Sequence, residues 1–132
     1  MFKAGDISKE SFLIDEQMVQ KFAEMSGDFN PVHMDENYAK GTRFGKRIAH
    51  GMISGALISR CLATHLGTGG IYLGQTIKFV HPVFIGDTVT VEIHVLKVRE
   101  ERGIGIVDTT VTNQKGEVCV KGEATIMAGQ FL

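Results

Sequence analysis

His50-Gly51-Met52-Ile53-Ser54-Gly55-Ala56-Leu57-Ile58-Ser59-Arg60-Cys61-Leu62-Ala63-Thr64-His65-Leu66 is the stretch on which the fold turns. Ile53, Ala56, Leu57, Cys61, Ala63 and Leu66 recur at helical spacing and give a broad apolar surface. Gly51, Ser54, Gly55 and Ala56 leave the first half of that helix thin-walled, and Gly67 is placed to cap its end. A thin, apolar helix can lie closely against a sheet.

The sheet is expected downstream, over residues 71–128. Ile71 to Val80 reads as one strand, ended by His81-Pro82. Val89, Val91, Ile93 and Val95 alternate with Thr88, Thr90, Glu92 and His94, the pattern of a half-buried strand. Ile104 to Thr112 is another, and Asn113-Gln114-Lys115-Gly116 is a hairpin turn. Val118, Val120, Gly122, Ala124 and Ile126 return on the opposite pleat. Short connections predict an antiparallel meander against the helix. Residues 1–70 read as helix and loop. Asp15 caps a first helix running to Met25, Ser26-Gly27-Asp28 ends it, and Asp35 to Ala39 forms one short turn. The class is α+β, in a single domain over 1–132.

The chain has 132 residues, with 16 glycines and two prolines. Glycine without proline points to a folded chain with tight turns or close backbone approaches. A net charge of −1 provides no basic field for nucleic acid, so a polyanionic ligand would need a local patch. Cys61 and Cys119 form neither a CxxC pair nor a framework, which fits free thiols in a reducing cytoplasm. Met1 to Asp6 lacks the apolar core of a secretory signal. Met52 to Ile58 is far shorter than the roughly 20 residues a membrane span needs.

Ser26-Gly27-Asp28-Phe29-Asn30-Pro31-Val32-His33 carries the chemistry. Asp28 and His33 sit in a loop stiffened by Pro31, and a carboxylate beside a neutral imidazole can hold and activate water. On spacing alone the plainer reading has the advantage: Asp28 caps a helix end and His33 is an ordinary loop residue. Gly51 opens the long helix, where backbone N–H groups lack internal partners and sit at the positive end. Its N–H suits a carbonyl oxygen that becomes an oxyanion. Helix–sheet packing explains that glycine equally well. His50 reads as a structural hydrogen-bonding residue rather than a base. The other histidines show no metal-ligand spacing, so no zinc site is expected.

Taken together, these segments cross a threshold. Phe22-Ala23-Glu24-Met25-Ser26-Gly27-Asp28-Phe29-Asn30-Pro31-Val32-His33 closely resembles the signature of the R-specific enoyl-CoA hydratases, which are MaoC-like, hot-dog-fold proteins. Ile48-Ala49-His50-Gly51-Met52, Tyr72-Leu73-Gly74-Gln75 and Pro82-Val83-Phe84-Ile85-Gly86-Asp87 resemble further family segments. The resemblance implies an antiparallel sheet wrapped around residues 50–66 and a homodimer whose sheets join edge to edge. It implies an acyl-CoA thioester substrate lying beside the helix, with no metal or redox cofactor. The implied reaction is reversible hydration of a trans-2-enoyl-CoA to an (R)-3-hydroxyacyl-CoA. Asp28 and His33 hold the water, Gly51 N–H holds the thioester oxygen, and Asn30 orients the loop or simply makes an Asx-turn before Pro31.

Ser59 matches a polar site position of the family. It lies about 12 Å along the helix from Gly51 and cannot share its oxygen. It is expected to line the pocket or to contact the Asp28/His33 region. Lys40, Arg43, Lys46 and Arg47 form a basic run before the helix. Arg43, Lys46 and Arg47 are candidates for the CoA phosphates, against the plainer reading of a solvated loop. Three other readings compete. A hot-dog thioesterase generally places a carboxylate on the central helix, and residues 51–66 contain no Asp or Glu. A dehydratase of acyl carrier protein thioesters would show a basic docking surface. A non-catalytic thioester-binding module is disfavoured by Asp28, Asn30, His33 and Gly51 occurring together.

Overall fold

A computed structural model describes residues 2–65, 67 and 69–132. Among the described residues five strands form one antiparallel sheet: β1 (Ile7–Leu13), β2 (Ile71–Phe79), β3 (Thr88–Arg99), β4 (Ile104–Thr112) and β5 (Val118–Met127). The long helix is Gly51–His65. Leu66, where its expected end falls, lies outside the described residues, as does Met1. Three shorter helices precede it: α1 (Glu16–Ser26), α2 (Pro31–Met34) and α3 (Glu36–Lys40). The long helix is therefore α4.

The hydrophobic pattern accounts for the inner layer. Ile53, Ile58, Cys61 and Leu62 of α4 are buried against Val89, Val91, Ile93 and Val95 of β3 and their neighbours Val107 and Val111 of β4. Burying a side chain of this size contributes about 1.5–3 kcal/mol. On β5, Val120, Ala124 and Ile126 face inward as expected, but Val118 is exposed and Cys119 is buried. The cause is a register shift. Val111 pairs with Val120 and Thr112 with Val118, so Cys119 is the extra residue of a bulge. Its carbonyl accepts from the N–H groups of Val80 and His81 at 2.8 and 3.2 Å, fixing the segment that leaves β2.

Two expectations are corrected. Ile7–Leu13 is a strand, not loop or helix. Its apolar ends, Ile7 and Leu13, face solvent, whereas Glu10 points inward to Arg60 (3.3 Å) and His65 (3.4 Å). An inward charge on an edge strand removes the alternation that would have revealed it. The sheet is also not a simple meander, since the strand order is β1-β3-β4-β5-β2. Only β3, β4 and β5 follow one another; β2 pairs with β5, from Ile71 opposite Met127 to Phe79 opposite Val120. The hairpin turn is as read: the Asn113 side-chain oxygen accepts from the N–H groups of Lys115 and Glu117, both at 3.0 Å.

Candidate active site

The Asp28–His33 loop is built by a relay of local caps. Asp15 caps α1 by accepting from Met18 N–H at 2.9 Å. At the other end Gly27 adopts φ 78°, a left-handed conformation that favours glycine, and its N–H donates to Ala23 O. Ser26 Oγ donates to Phe22 O at 2.7 Å and accepts from Asp28 N–H at 3.1 Å. Asp28 Oδ1 accepts from Asn30 N–H, and Asn30 Oδ1 accepts from Val32 N–H, each at 3.2 Å. Asn30 thereby caps α2, with Pro31 at its first position. The sequence pattern does not reveal this short helix, which carries His33.

Two long-range contacts complete the arrangement. The ring nitrogen Nδ1 of His33 lies 2.8 Å from Ile48 O. A carbonyl oxygen only accepts, so Nδ1 carries the hydrogen and the neutral ring presents a free lone pair at Nε2. Burial holds the His33 imidazole below its ordinary pKa. The nearby His50 and Arg47 act in the same direction, against the Ile48 hydrogen bond and the Asp28 charge. His50, 3 % exposed, bonds through Nε2 to Asp28 O at 2.8 Å. Its ring lies 4.0 Å from that of His33.

Asp28, His33, Gly51 and Ser54 line one cavity of about 560 Å³, with Phe79 and Val80 from the end of β2. The fold thus brings the sequence candidates Asp28, His33 and Gly51 to one place. Gly51 leaves room for an aromatic ring as well as a ligand, since a Cβ there would meet Phe79 at 2.7 Å. Ser54, one of the residues that thin the first half of the helix, is buried on the cavity wall. Ser59 is elsewhere. It lines a separate cavity of about 90 Å³ with Phe2, Leu62 and Tyr72, two turns further along α4, away from the Asp28/His33 region.

The basic run divides. Arg43 lines the main cavity, its guanidinium 5.0 Å from the Phe44 ring centre. Lys46 is exposed and stands over Phe84 at 4.5 Å. Arg47 departs from the phosphate expectation because each of its three guanidinium nitrogens already donates within the chain. Nε donates to His33 O at 2.6 Å, and both terminal nitrogens grip Glu16, at 2.9 and 2.8 Å. It ties α1 to α2 instead.

One donor atom each from Asp28, His33 and His50 lies within 4.8 Å of the others, a cluster that sequence spacing did not reveal. The His33 and His50 rings are tilted 31° to one another, with centres 4.0 Å apart. His50 Nε2 is committed to the Asp28 carbonyl, which leaves the Asp28 carboxylate and the Nε2 lone pair of His33 as the groups that can hold a water. Burial pushes the Cys61 and Cys119 thiols up to about 11, so neither provides a thiolate nucleophile at neutral pH.

The MaoC-like domain family model matches residues 6–117. The chain belongs to the MaoC-like domain family. Among its MaoC-like relatives, the (R)-specific enoyl-CoA hydratase of Rhodospirillum rubrum is 44% identical over 126 residues, covering 95% of this chain and 87% of that protein. The (R)-specific enoyl-CoA hydratase of Aeromonas caviae is 44% identical over 109 residues, covering 82% and 81%. The structure of the R-hydratase PhaJ1 from Pseudomonas aeruginosa superimposes with a TM-score of 0.92 at 48% identity, covering 96% of this chain and 82% of that one. The hot-dog architecture expected from the MaoC-like resemblance is the architecture present.

Proposed function

We propose that the protein is a hydro-lyase that adds water reversibly across a trans-2-enoyl-CoA, giving an (R)-3-hydroxyacyl-CoA. The observation that carries this reading is the free Nε2 lone pair of His33, beside Asp28 and in one cavity with the N-terminus of α4. Asp28 and His33 hold one water between them. Its oxygen bonds to C3 as the pair takes one of its protons, and the pair delivers a proton to C2, so the elements of one water are added. Coupled groups share the titration, and the pair acts as a unit. Gly51 N–H, at the positive end of α4, receives the thioester oxygen as enolate charge develops. Arg43 at the cavity wall is the cation placed to meet a CoA phosphate; Lys46 lies further out. No redox step is involved.

The residues of α4 include no Asp or Glu, which disfavours thioester hydrolysis. The free outer edge of β2, a strand on which Ile71, Tyr72, Leu73 and Phe79 are exposed, supports a homodimer joined edge to edge. Among the described residues no helix is long and apolar enough to cross a membrane. Free, buried Cys61 and Cys119 fit a reducing compartment, and we place the enzyme in cytoplasmic fatty-acid metabolism.

Kinetics over C4 to C12 trans-2-enoyl-CoA, with chiral analysis of the product and a thiol reagent present, test the reading. Enoyl absorbance should fall with (R)-3-hydroxyacyl-CoA as product and no thiol release. Thiol release without hydration identifies a thioesterase; binding with no turnover on any enoyl thioester identifies a binding module. The pH profile is a second test. The depressed His33 pKa keeps the ring neutral to lower pH than a free imidazole, so the acid limb of kcat/KM for hydration should be centred below pH 6.5. An acid limb centred above pH 6.5 contradicts the assignment.

A further inference from the structure

We infer that His50 is a positioning residue, which sets Asp28 against His33 through the bond from its Nε2 to the Asp28 carbonyl. This rests on the proposed role of that pair.

The loop before His33 holds itself together only locally. The bonds among Ser26, Asp28, Asn30 and Val32 span two residues each. Among the described residues, the His50 bond is the one hydrogen bond that ties residues 27–30 to a distant part of the chain. His33 is anchored separately, by Ile48 O and Arg47. The separation of carboxylate and imidazole is therefore set by whatever joins their two supports, and His50 is that joint. Its ring is clamped between Phe22, 4.8 Å away, and His33, 4.0 Å away. Its main chain is fixed at the start of α4, where Ile53 N–H donates to His50 O at 3.1 Å.

The tautomer follows from the geometry. The Asp28 carbonyl only accepts, so Nε2 of His50 carries a hydrogen. Nδ1 is buried without a partner. A hydrogen there would face no acceptor, and a buried unpaired donor is costly. The ring is thus held with its hydrogen on Nε2 and serves as a fixed strut rather than a proton carrier.

His50→Gln and His50→Asn separate the bond from the ring. Both remove the aromatic stack, but the glutamine amide reaches the position of Nε2 and the asparagine amide stops one carbon short. His50→Asn should lower kcat for crotonyl-CoA hydration on the order of 10²-fold, the cost typical of a misplacement of about 1 Å. KM should change little, and His50→Gln should recover most of the loss. Equal kcat values for the two variants, whether normal or depressed, overturn the inference. Should either variant fail to fold, nitrogen NMR of the wild-type imidazoles decides: the inference requires His50 with its hydrogen on Nε2, and a ring protonated on Nδ1 overturns it. Asp28→Asn and His33→Ala run alongside as controls. Near-normal turnover in those two removes the pair from the mechanism, and absence of hydration by the parent enzyme defeats the hydration reading itself; inactive controls beside indistinguishable His50 variants defeat only this inference.

Discussion

Asp28→Asn or His33→Ala should each slow crotonyl-CoA hydration by about 10²–10⁴-fold, the usual cost of losing a positioned acid–base group. The two losses should not multiply in the double variant, because the residues act on one water as a unit. Asp28→Asn keeps an oxygen for Asn30 N–H, so the Asx-turn of the loop survives and only the charge is lost. His33→Ala removes the ring that donates to Ile48 O, but the backbone bond from Ile48 N–H to Val32 O, at 3.2 Å, still joins the same two segments. Folding should therefore persist in both, as circular dichroism and thermal melting would show. Loss of enoyl absorbance measures the rate, and a variant that turns over normally is thereby removed from the mechanism.

Gly122→Ala should be among the most destabilising single-methyl additions in this chain. Gly122 lies on β5 opposite Ile77 of β2. A Cβ there would overlap the Thr76 carbonyl oxygen and lie 2.7 Å from its carbon. Neither is the mobile end of a side chain, so relief requires β2 to move away from β5. Overpacking typically costs 1–3 kcal/mol, and with backbone as the obstacle we expect about 3 kcal/mol. That corresponds to a fall in Tm on the order of 10 °C. Catalysis should suffer too, because Phe79 and Val80 at the end of β2 line the cavity. Gly74→Ala is the control: it is on the paired strand β2 with open space at its Cβ position, and its Tm should stay near that of the parent. Equal Tm values for the two variants would refute the close approach.

Both predictions rest on features that the sequence exposed to different degrees. The helix from Gly51, the valine alternation of β3 and the Asn113 turn are local patterns, readable because neighbouring residues carry the period. The Asp28–His33 motif was legible as a motif, and its caps were partly so, through Asp15 and Gly27. β1 was hidden because its inward Glu10 and outward Ile7 and Leu13 invert the usual pattern. The Cys119 bulge shifted the pleat at the start of β5 without a signal in composition. Gly122 was counted as one strand residue among several, and nothing near it in sequence announces that Thr76 lies against it.

By itself, then, the sequence determined the elements whose formation is decided within a few turns or a few residues of chain, together with the residue types of the site. Tertiary structure decided the strand order, the commitment of Arg47 to Glu16 and His33, the placement of Ser59 in a second cavity and the joint that His50 makes between two anchored segments. The reason is physical. Periodicity and capping depend on neighbours along the chain, whereas each of those outcomes is a match of donor, acceptor or surface between segments distant in sequence, and only the packed register brings them within reach.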